Sequence, residues 1–465
     1  MKRPNILIIQ TDQQRWDAVG ANGNEEVITP NLDRLAAQGA TFLHHYVQNP
    51  VCMPSRASFL LGQYPSTVGS LKNGSPVPED AITLPRILRN YGYVSGNVGK
   101  IHFLPHANRD HRQIHPDYGF DHMEISDEPG CYEDVYRAWV RRKAPDQLPY
   151  ISRVLPPAAQ VYRDEVGPLE DFPHPAKGAP GYGIETAVRK DVTQAAFVAE
   201  QTMEFVRQRR EGPFLCIAGI YAPHSPCLAP QEYRDLYDPG RLSLPQFPPE
   251  VEARRAGSTY TDAELRGAKH GYYAMVSEVD AQVGRMLAYL DELGIADETI
   301  VVFTSDHGEW LGEHLRYGKG YPGHDCVSRT PLIVRWPGVV AEGRRVEAVV
   351  EAIDVLPTLL AAAAIPTPPH LQGRSFLDLL EGRAQEGRDS ALTEGDGWKS
   401  LRLPGLRYVV EASGKESLFD LRHDPGGYQN LAGEAEYAEA LHDARLRLLQ
   451  RLLQMERSLP RTWTY

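Results

Sequence analysis

The chain has 465 residues, 42% hydrophobic and 24% charged, with a formal net charge of -12 from 49 basic and 61 acidic side chains. The composition is that of an ordinary globular protein and excludes a disordered chain, and the length calls for two or three domains or one large α/β domain with an appendage. The acidic balance and the absence of basic runs argue against nucleic acid as a partner, and no apolar stretch approaches the length needed to cross a membrane.

Ile6 to Gln10 is a mostly apolar run that ends in Thr11-Asp12-Gln13-Gln14. It reads as a strand buried on both faces, with Asp12 and Gln13 at the C-terminal end, where open α/β sheets bind ligands. Oxygen donors there suit a hard metal, although Asp12 taken alone reads first as the cap of a following turn. Thr29 to Gly39 carries the start and stop signals of a structural helix, and Thr41 to Val47 is the next strand. The stretch Pro50-Val51-Cys52-Met53-Pro54-Ser55-Arg56 then places one cysteine just ahead of a helix. A helix start offers free N–H groups and partial positive charge, so a nucleophile there, followed by arginine, faces a site suited to an anion. Taken alone, the segment fits equally a buried cysteine before an ordinary helix.

Leu84 to Asn90 is helical, and Tyr93 to Val98 is a strand leading to Gly99-Lys100-Ile101-His102, where Lys100 and His102 point the same way if the chain is extended. From Leu104 to Gly183 there is little periodicity, as expected of long loops that build substrate pockets. Val188 to Arg207 has the apolar spacing of an amphipathic helix. Phe214 to Ala218 is a buried strand running into Tyr221-Ala222-Pro223-His224, and 239 to 256 is a loop rich in Pro and Arg. Asp262 to Leu293 is a long helix with a core-packing stripe. Thr299 to Thr304 is a strand closing on Ser305-Asp306-His307-Gly308-Glu309, the Gly-flanked Lys319 follows in a loop, and Thr330 to Trp336 is another strand.

Repeated strand, loop and helix units through 365 predict a mostly parallel central sheet flanked by helices. After Pro366-Thr367-Pro368-Pro369, and a segment from Leu371 to Glu381, the pattern changes to short strands separated by turns and a closing helix from Glu434 to Met455. The expected division is a catalytic α/β domain over 1–384 and a smaller α+β subdomain over 385–465 with a short antiparallel sheet. The five cysteines, Cys52, Cys131, Cys216, Cys227 and Cys326, lack paired spacing and read neither as a disulfide framework nor as a zinc site. The N-terminal apolar run is too short for a secretory signal, so a cytoplasmic location is expected.

Asp12, Cys52, Lys100, His102, His224, Asp306 and Lys319 all fall at predicted strand ends or in Gly/Pro loops. With these residues in place, the chain resembles the type I sulfatases of the alkaline-phosphatase-like superfamily. The match lies in Val51-Cys52-Met53-Pro54-Ser55-Arg56, Gly92 to His102, Asp306-His307-Gly308-Glu309, Gly318-Lys319 and Leu418-Phe419-Asp420-Leu421 with Asp424-Pro425, so it spans nearly the whole chain.

The resemblance implies that Cys52 is oxidised to formylglycine by a maturation enzyme that reads Pro54 and Arg56, and that its aldehyde hydrate attacks sulfur to hydrolyse an aryl or carbohydrate sulfate monoester. It further implies that Asp12, Gln13, Asp306 and His307, together with position 52, hold one divalent metal, calcium first, with manganese or magnesium as alternatives. Arg56 would hold the diol, Lys100 and Lys319 would clamp the sulfate, His224 would protonate the leaving oxygen and His102 would take the proton from the second hydroxyl. Gln13 stands where many sulfatases carry aspartate, and this metal pattern is closest to choline sulfatases and phosphonate monoester hydrolases. Asn73 falls where that branch has a substrate-contacting asparagine. A phosphonate monoester hydrolase or phosphodiesterase on the same fold is the alternative, while the Lys100/His102 pair favours a sulfatase. A homo-oligomer is compatible with the sequence and is not specified by it.

Overall fold

The computed structural model describes residues 3–105, 114–129, 133–151 and 186–456. Cys131 and most of the 104–183 segment lie outside the described residues.

Two sheets organise the molecule. The larger has eight strands in the order β4-β3-β5-β1-β6-β7-β2-β8, where β1 is Asn5–Thr11, β2 Ala40–Tyr46, β3 Val94–Gly99, β4 His122–Ile125, β5 Phe214–Ile220, β6 Thr299–Ser305, β7 Leu332–Arg335 and β8 Arg344–Glu351. Every neighbouring pair is parallel except those made by β7, which runs against both β6 and β2. The central strands β1, β5 and β6 are buried at every position, which explains their continuous apolar runs.

Side chains alternate across β1. Leu7 and Ile9 enter a core shared with the helices α1 (Pro30–Ala37), α3 (Val135–Lys143), α4 (Gln194–Arg209) and α5 (Asp262–Glu292). Ile6 and Ile8 enter a second core with α2 (Cys52–Leu61) and α6 (Val355–Ala362) on the opposite face. Each of these four strand residues is at most 1% exposed, and burying such a side chain contributes about 1.5–3 kcal/mol.

Register decides where the functional loops emerge. Thr11 pairs with Ser305 on one side and Ile220 on the other, so the chain leaves the sheet at Asp12, Asp306 and Tyr221 along one edge. β3 reaches that edge through a close approach of two glycines. A Cβ on Gly99 would sit 2.1 Å from the Gly219 carbonyl oxygen, and one on Gly219 would sit 2.1 Å from the Lys100 carbonyl oxygen. Only glycine at both positions lets the Lys100 N–H donate to Gly219 O at 2.8 Å and fixes Lys100 beside β5.

The smaller sheet is an antiparallel meander of β9 (Ala391–Gly395), β10 (Trp398–Leu403), β11 (Leu406–Glu411) and β12 (Glu416–Asp420). Helix α7 (Ala438–Met455) covers it, with Leu441, Ala444 and Leu448 packed against Leu392, Leu401, Tyr408 and Leu418. Buried Arg451 of α7 donates to Tyr64 Oη and Glu351 Oε1, both at 2.6 Å, which ties this helix to the end of β8.

Several boundaries differ from expectation. The helix expected from Val188 starts at Gln194, because Thr193 is extended and its Oγ1 accepts the Ala196 N–H at 3.2 Å, capping the first turn. Val188 and Val192 instead pack into the core from the preceding loop. The 239–256 loop winds into a helix at Pro249–Arg255. β4 and β8 were not anticipated: β4 is a short, half-exposed edge strand, while Arg344 to Val350 carries the alternation of a strand with one covered face.

Candidate active site

Cys52 is the first residue of α2 rather than the residue before it, and every residue of that helix is buried. Val51 is extended and provides no side-chain cap. The exposed Asn73, from a separate loop, supplies part of one: its Oδ1 accepts the Met53 N–H at 3.1 Å. Pro54 occupies the first turn, where its missing N–H costs no helical bond. Gly62 ends the helix with φ 63°, and its N–H returns to Ser58 O at 2.8 Å.

Asp12, Cys52, Asp306 and His307 each offer a donor atom within 4.8 Å of the others, and all are buried. The Cys52 sulfur stands 3.7 Å from Asp12 Oδ1 and 3.2 Å from His307 Nε2. His307 Nδ1 lies 2.8 Å from the Gly308 carbonyl, which assigns the proton to Nδ1 and turns the Nε2 lone pair inward. Burial lowers the His307 pKa to about 4 despite the opposing pull of Asp306, so the imidazole is neutral, as a metal ligand must be.

Gln13 joins the cluster in a left-handed backbone conformation, φ 69°, with its N–H donating to Asp306 Oδ1 at 3.0 Å. Its Nε2 donates to Glu309 Oε2, while its buried Oε1 has no hydrogen-bond partner among the described residues. An orphaned carbonyl oxygen beside two carboxylates and an inward-facing imidazole fits a hard divalent cation, and a lone buried acceptor is otherwise costly.

Cations surround this cluster. Arg56, 2% exposed, donates from Nε to Asp306 Oδ2 at 2.7 Å and from Nη1 to the Lys100 carbonyl at 3.1 Å, and its Nη2 lies 3.7 Å from Asp12 Oδ2. Lys100 Nζ is 2.8 Å from Asp12 Oδ2 and rests over the Tyr221 ring at 4.8 Å. Burial disfavours the Lys100 ammonium, but Asp12 followed by Cys52 and Glu128 outweighs it and holds the pKa above the ordinary lysine range.

Lys319, from the Gly-flanked loop, donates to Cys52 Sγ at 2.6 Å and lies 3.0 Å from His224 Nε2. Burial, and then the neighbouring Lys319 charge, push the His224 pKa well below the usual histidine value. A neutral His224 with Nδ1 directed at the Ser225 carbonyl presents Nε2 as acceptor to Lys319. Burial also raises the Cys52 thiol to about 11, Asp12 adding to the effect while Lys319 and Lys100 oppose it. An unmodified thiol so shielded is a poor nucleophile at neutral pH.

The geometry therefore gathers Asp12, Gln13, Cys52, Arg56, Lys100, His224, Asp306, His307 and Lys319 around one point, with Asn73 at the helix start beside it. His102 is buried with φ 53°, and its N–H donates to Asp127 Oδ1 at 2.8 Å. Among the described residues, the hydrogen-bond partners of the Cys52 sulfur are Asp12, His307 and Lys319. The left-handed turn at His102 also breaks the extended geometry from which a shared direction with Lys100 was expected.

Sequence reasoning assigned no role to three acidic residues near the site. Glu309 accepts from Gln13, Leu311 and Gly318, so one buried carboxylate orients the Gln13 amide and anchors the loop before Lys319. Its place in Asp306-His307-Gly308-Glu309, two residues past a ligand candidate, was a usable signal. Asp127 fixes the Ile101 and His102 backbone, and Glu128 is buried within electrostatic range of Lys100 and Asp12. Both belong to an aperiodic segment with no motif to mark them.

A family model described as Sulfatase matches residues 4–365, and one described as N-sulphoglucosamine sulphohydrolase, C-terminal, matches 312–456. An arylsulfatase of Clostridium perfringens is 29% identical over 97% of this chain and 94% of its own. A multifunctional alkaline phosphatase superfamily protein of Trinickia caryophylli is 29% identical over 99% and 97%. The crystal structure of a phosphonate monoester hydrolase of Agrobacterium radiobacter superimposes with TM-score 0.82 at 27% identity, covering 97% of this chain and 96% of that one. The chain belongs to the sulfatase family and is a hydrolase of sulfate esters.

Proposed function

We propose that the protein hydrolyses aryl or carbohydrate sulfate monoesters to alcohol and inorganic sulfate, using formylglycine made from Cys52 and one divalent metal. The observation that carries this is the convergence of His307, Asp12 and Lys319 on the Cys52 sulfur. Once position 52 is formylglycine, a hydroxyl of the hydrated aldehyde would take the place of that sulfur. Asp12, Gln13, Asp306 and His307 would hold the metal, calcium or else manganese or magnesium, which would make position 52 acidic and draw charge from the sulfate oxygens.

Lys100 and Lys319 would bind the sulfate oxygens from two sides, adding positive charge where negative charge develops in the transition state. Arg56 would hold Asp306 and the start of α2 in place. His224, in contact with Lys319, would deliver a proton to the departing alcohol oxygen, with Lys319 as its relay. His102 would accept the proton whose loss lets the hydrated carbon release sulfate and return to the aldehyde, a step that needs two oxygens on that carbon and is closed to a plain cysteine or serine. Asn73, fixed by the Met53 N–H, would place its amide against the substrate.

The likeness to a phosphonate monoester hydrolase at TM-score 0.82 supports a second activity, since both substrates present tetrahedral oxyanions of similar size. The N-acetylglucosamine-6-O-sulfatase of Bacteroides thetaiotaomicron, 26% identical over 94% of this chain, supports a carbohydrate substrate. Turnover of sulfated sugars, aryl sulfates, choline sulfate and an aryl phosphonate, with and without chelator, separates these readings. A sulfatase turns over the sulfates faster and loses that activity on chelation. Faster turnover of the phosphonate favours the alternative.

A further inference from the structure

Lys319 reaches the active site from a loop with little stiffness of its own. Gly318 and Gly320 on either side of it hold φ 84° and 104°, and a Cβ at either would meet nothing within 4 Å, so glycine serves the backbone there and not the packing. A residue between two such glycines loses much conformational entropy when fixed, and holding its ammonium 2.6 Å from the Cys52 sulfur takes anchors elsewhere in the loop. On the N-terminal side, Glu309 accepts the Gly318 N–H and the Gly318 carbonyl accepts the Trp310 N–H at 2.9 Å. Both partners follow β6 directly.

The C-terminal side is held by the smaller sheet. Along β10 and β11 the side chains alternate: Leu401, Leu403 and Tyr408 pack beneath α7, which puts Trp398 and Glu411, cross-strand partners in the register, and Arg407 on the other face. Tyr321, just past Gly320, lies against that face. Its ring meets Trp398 edge-on at 5.7 Å, and its hydroxyl donates to Glu411 Oε1 at 2.6 Å. Burial and the Glu411 carboxylate push the phenol up to about 12, so it stays protonated as the donor at neutral pH. Arg407, 1% exposed, donates to the Gly323 carbonyl and pairs with Asp325, and a Cβ on Gly323 would stand 3.2 Å from the Trp398 ring.

We propose that Tyr321 and Glu411 are positioning residues for the hydrolysis, through which the smaller sheet holds Lys319 against position 52. The proposal rests on the reading of Lys319 as a ligand of the sulfate oxygens. A hydroxyl donating to a carboxylate is charge-assisted and stronger than a neutral hydrogen bond. Losing it leaves the loop anchored at Gly318 and Gly323 but free to turn between them, and a misplacement of about 1 Å at a reacting group can cost about 10²-fold in rate.

The test sets wild type beside Tyr321→Phe, Lys319→Ala and the double variant, each produced with formylglycine at position 52. Tyr321→Phe should lower kcat for an aryl sulfate about tenfold and weaken inhibition by inorganic sulfate, with the thermal midpoint nearly unchanged. In the Lys319→Ala background the same change should cost less than about twofold, because the group it positions is gone. Glu411→Ala should behave as Tyr321→Phe does, while Glu411→Gln, which keeps an acceptor for the hydroxyl, should retain most of the turnover. Unchanged kcat in Tyr321→Phe, or equal losses from it with and without Lys319, would overturn the positioning role and leave Lys319 as read. A Lys319→Ala enzyme as fast as wild type would overturn the reading of Lys319 itself, and the positioning role with it.

Discussion

Replacing Arg56 by alanine removes one of the buried cations set against the metal-ligand cluster. Arg56 faces Asp306 at 2.7 Å and Asp12 at 3.7 Å from a position 2% exposed. Removing one partner of such a buried pair leaves a carboxylate uncompensated, which costs about 3–5 kcal/mol. The donations to the carbonyls of Lys100 and Thr11 are lost as well. Lys100 remains beside Asp12 and limits the damage there, so the larger exposure falls on Asp306. In urea unfolding followed by tryptophan fluorescence in chelator, Arg56→Ala should lose about 3–5 kcal/mol relative to wild type. Arg56→Lys should fall between the two, because an ammonium answers Asp306 but cannot reproduce the forked contacts. Added calcium should narrow the gap, since the same carboxylates then face a dication. A loss below about 1 kcal/mol in chelator would show that Arg56 is not what balances these carboxylates.

Lys319→Ala should cut kcat for an aryl sulfate by about 10²–10³, the usual cost of one oxyanion-stabilising donor, and steady-state kinetics checks it. His224→Ala should slow sulfates of poorly acidic alcohols more than those of acidic phenols, so a series of leaving groups should show a steeper dependence on leaving-group pKa. Glu309→Gln should weaken metal affinity about 10–100-fold through the Gln13 amide, a shift readable by metal titration without turnover. His45, fully buried and away from the site, has its pKa lowered by burial to about 4 from 6.5. The unfolded chain therefore takes up the proton first as pH falls. Stability present above pH 6.5 should decline by about 3 kcal/mol towards pH 4. His45→Gln should flatten that part of the pH–stability curve.

The parallel core was legible because central strands buried on both faces must be apolar throughout, and β1, β5 and β6 carry that signal plainly. The metal-ligand candidates were legible for a related reason: polar residues straight after such strands reach the ligand-binding edge of the sheet. Position 52 gained meaning only when its segment was read together with Asp306-His307 and Gly318-Lys319, since register and loop packing unite residues far apart in sequence. Glu309, Asp127 and Glu128 escaped because burial in a polar network leaves no periodicity behind. His102 shows the opposite failure: a two-residue spacing assumed extended backbone, and the chain turns left-handed there instead.

The proposed chemistry turns on the chemical state of position 52. The decisive measurement is the mass of the peptide containing Cys52, taken on protein produced with and without a formylglycine-generating enzyme, with aryl sulfate turnover read on the same samples. Turnover should rise in proportion to the fraction of peptide in which sulfur has been exchanged for oxygen with loss of hydrogens, and Cys52→Ala should be inactive. Full turnover from protein carrying only the thiol, or none after complete conversion with metal supplied, would contradict it.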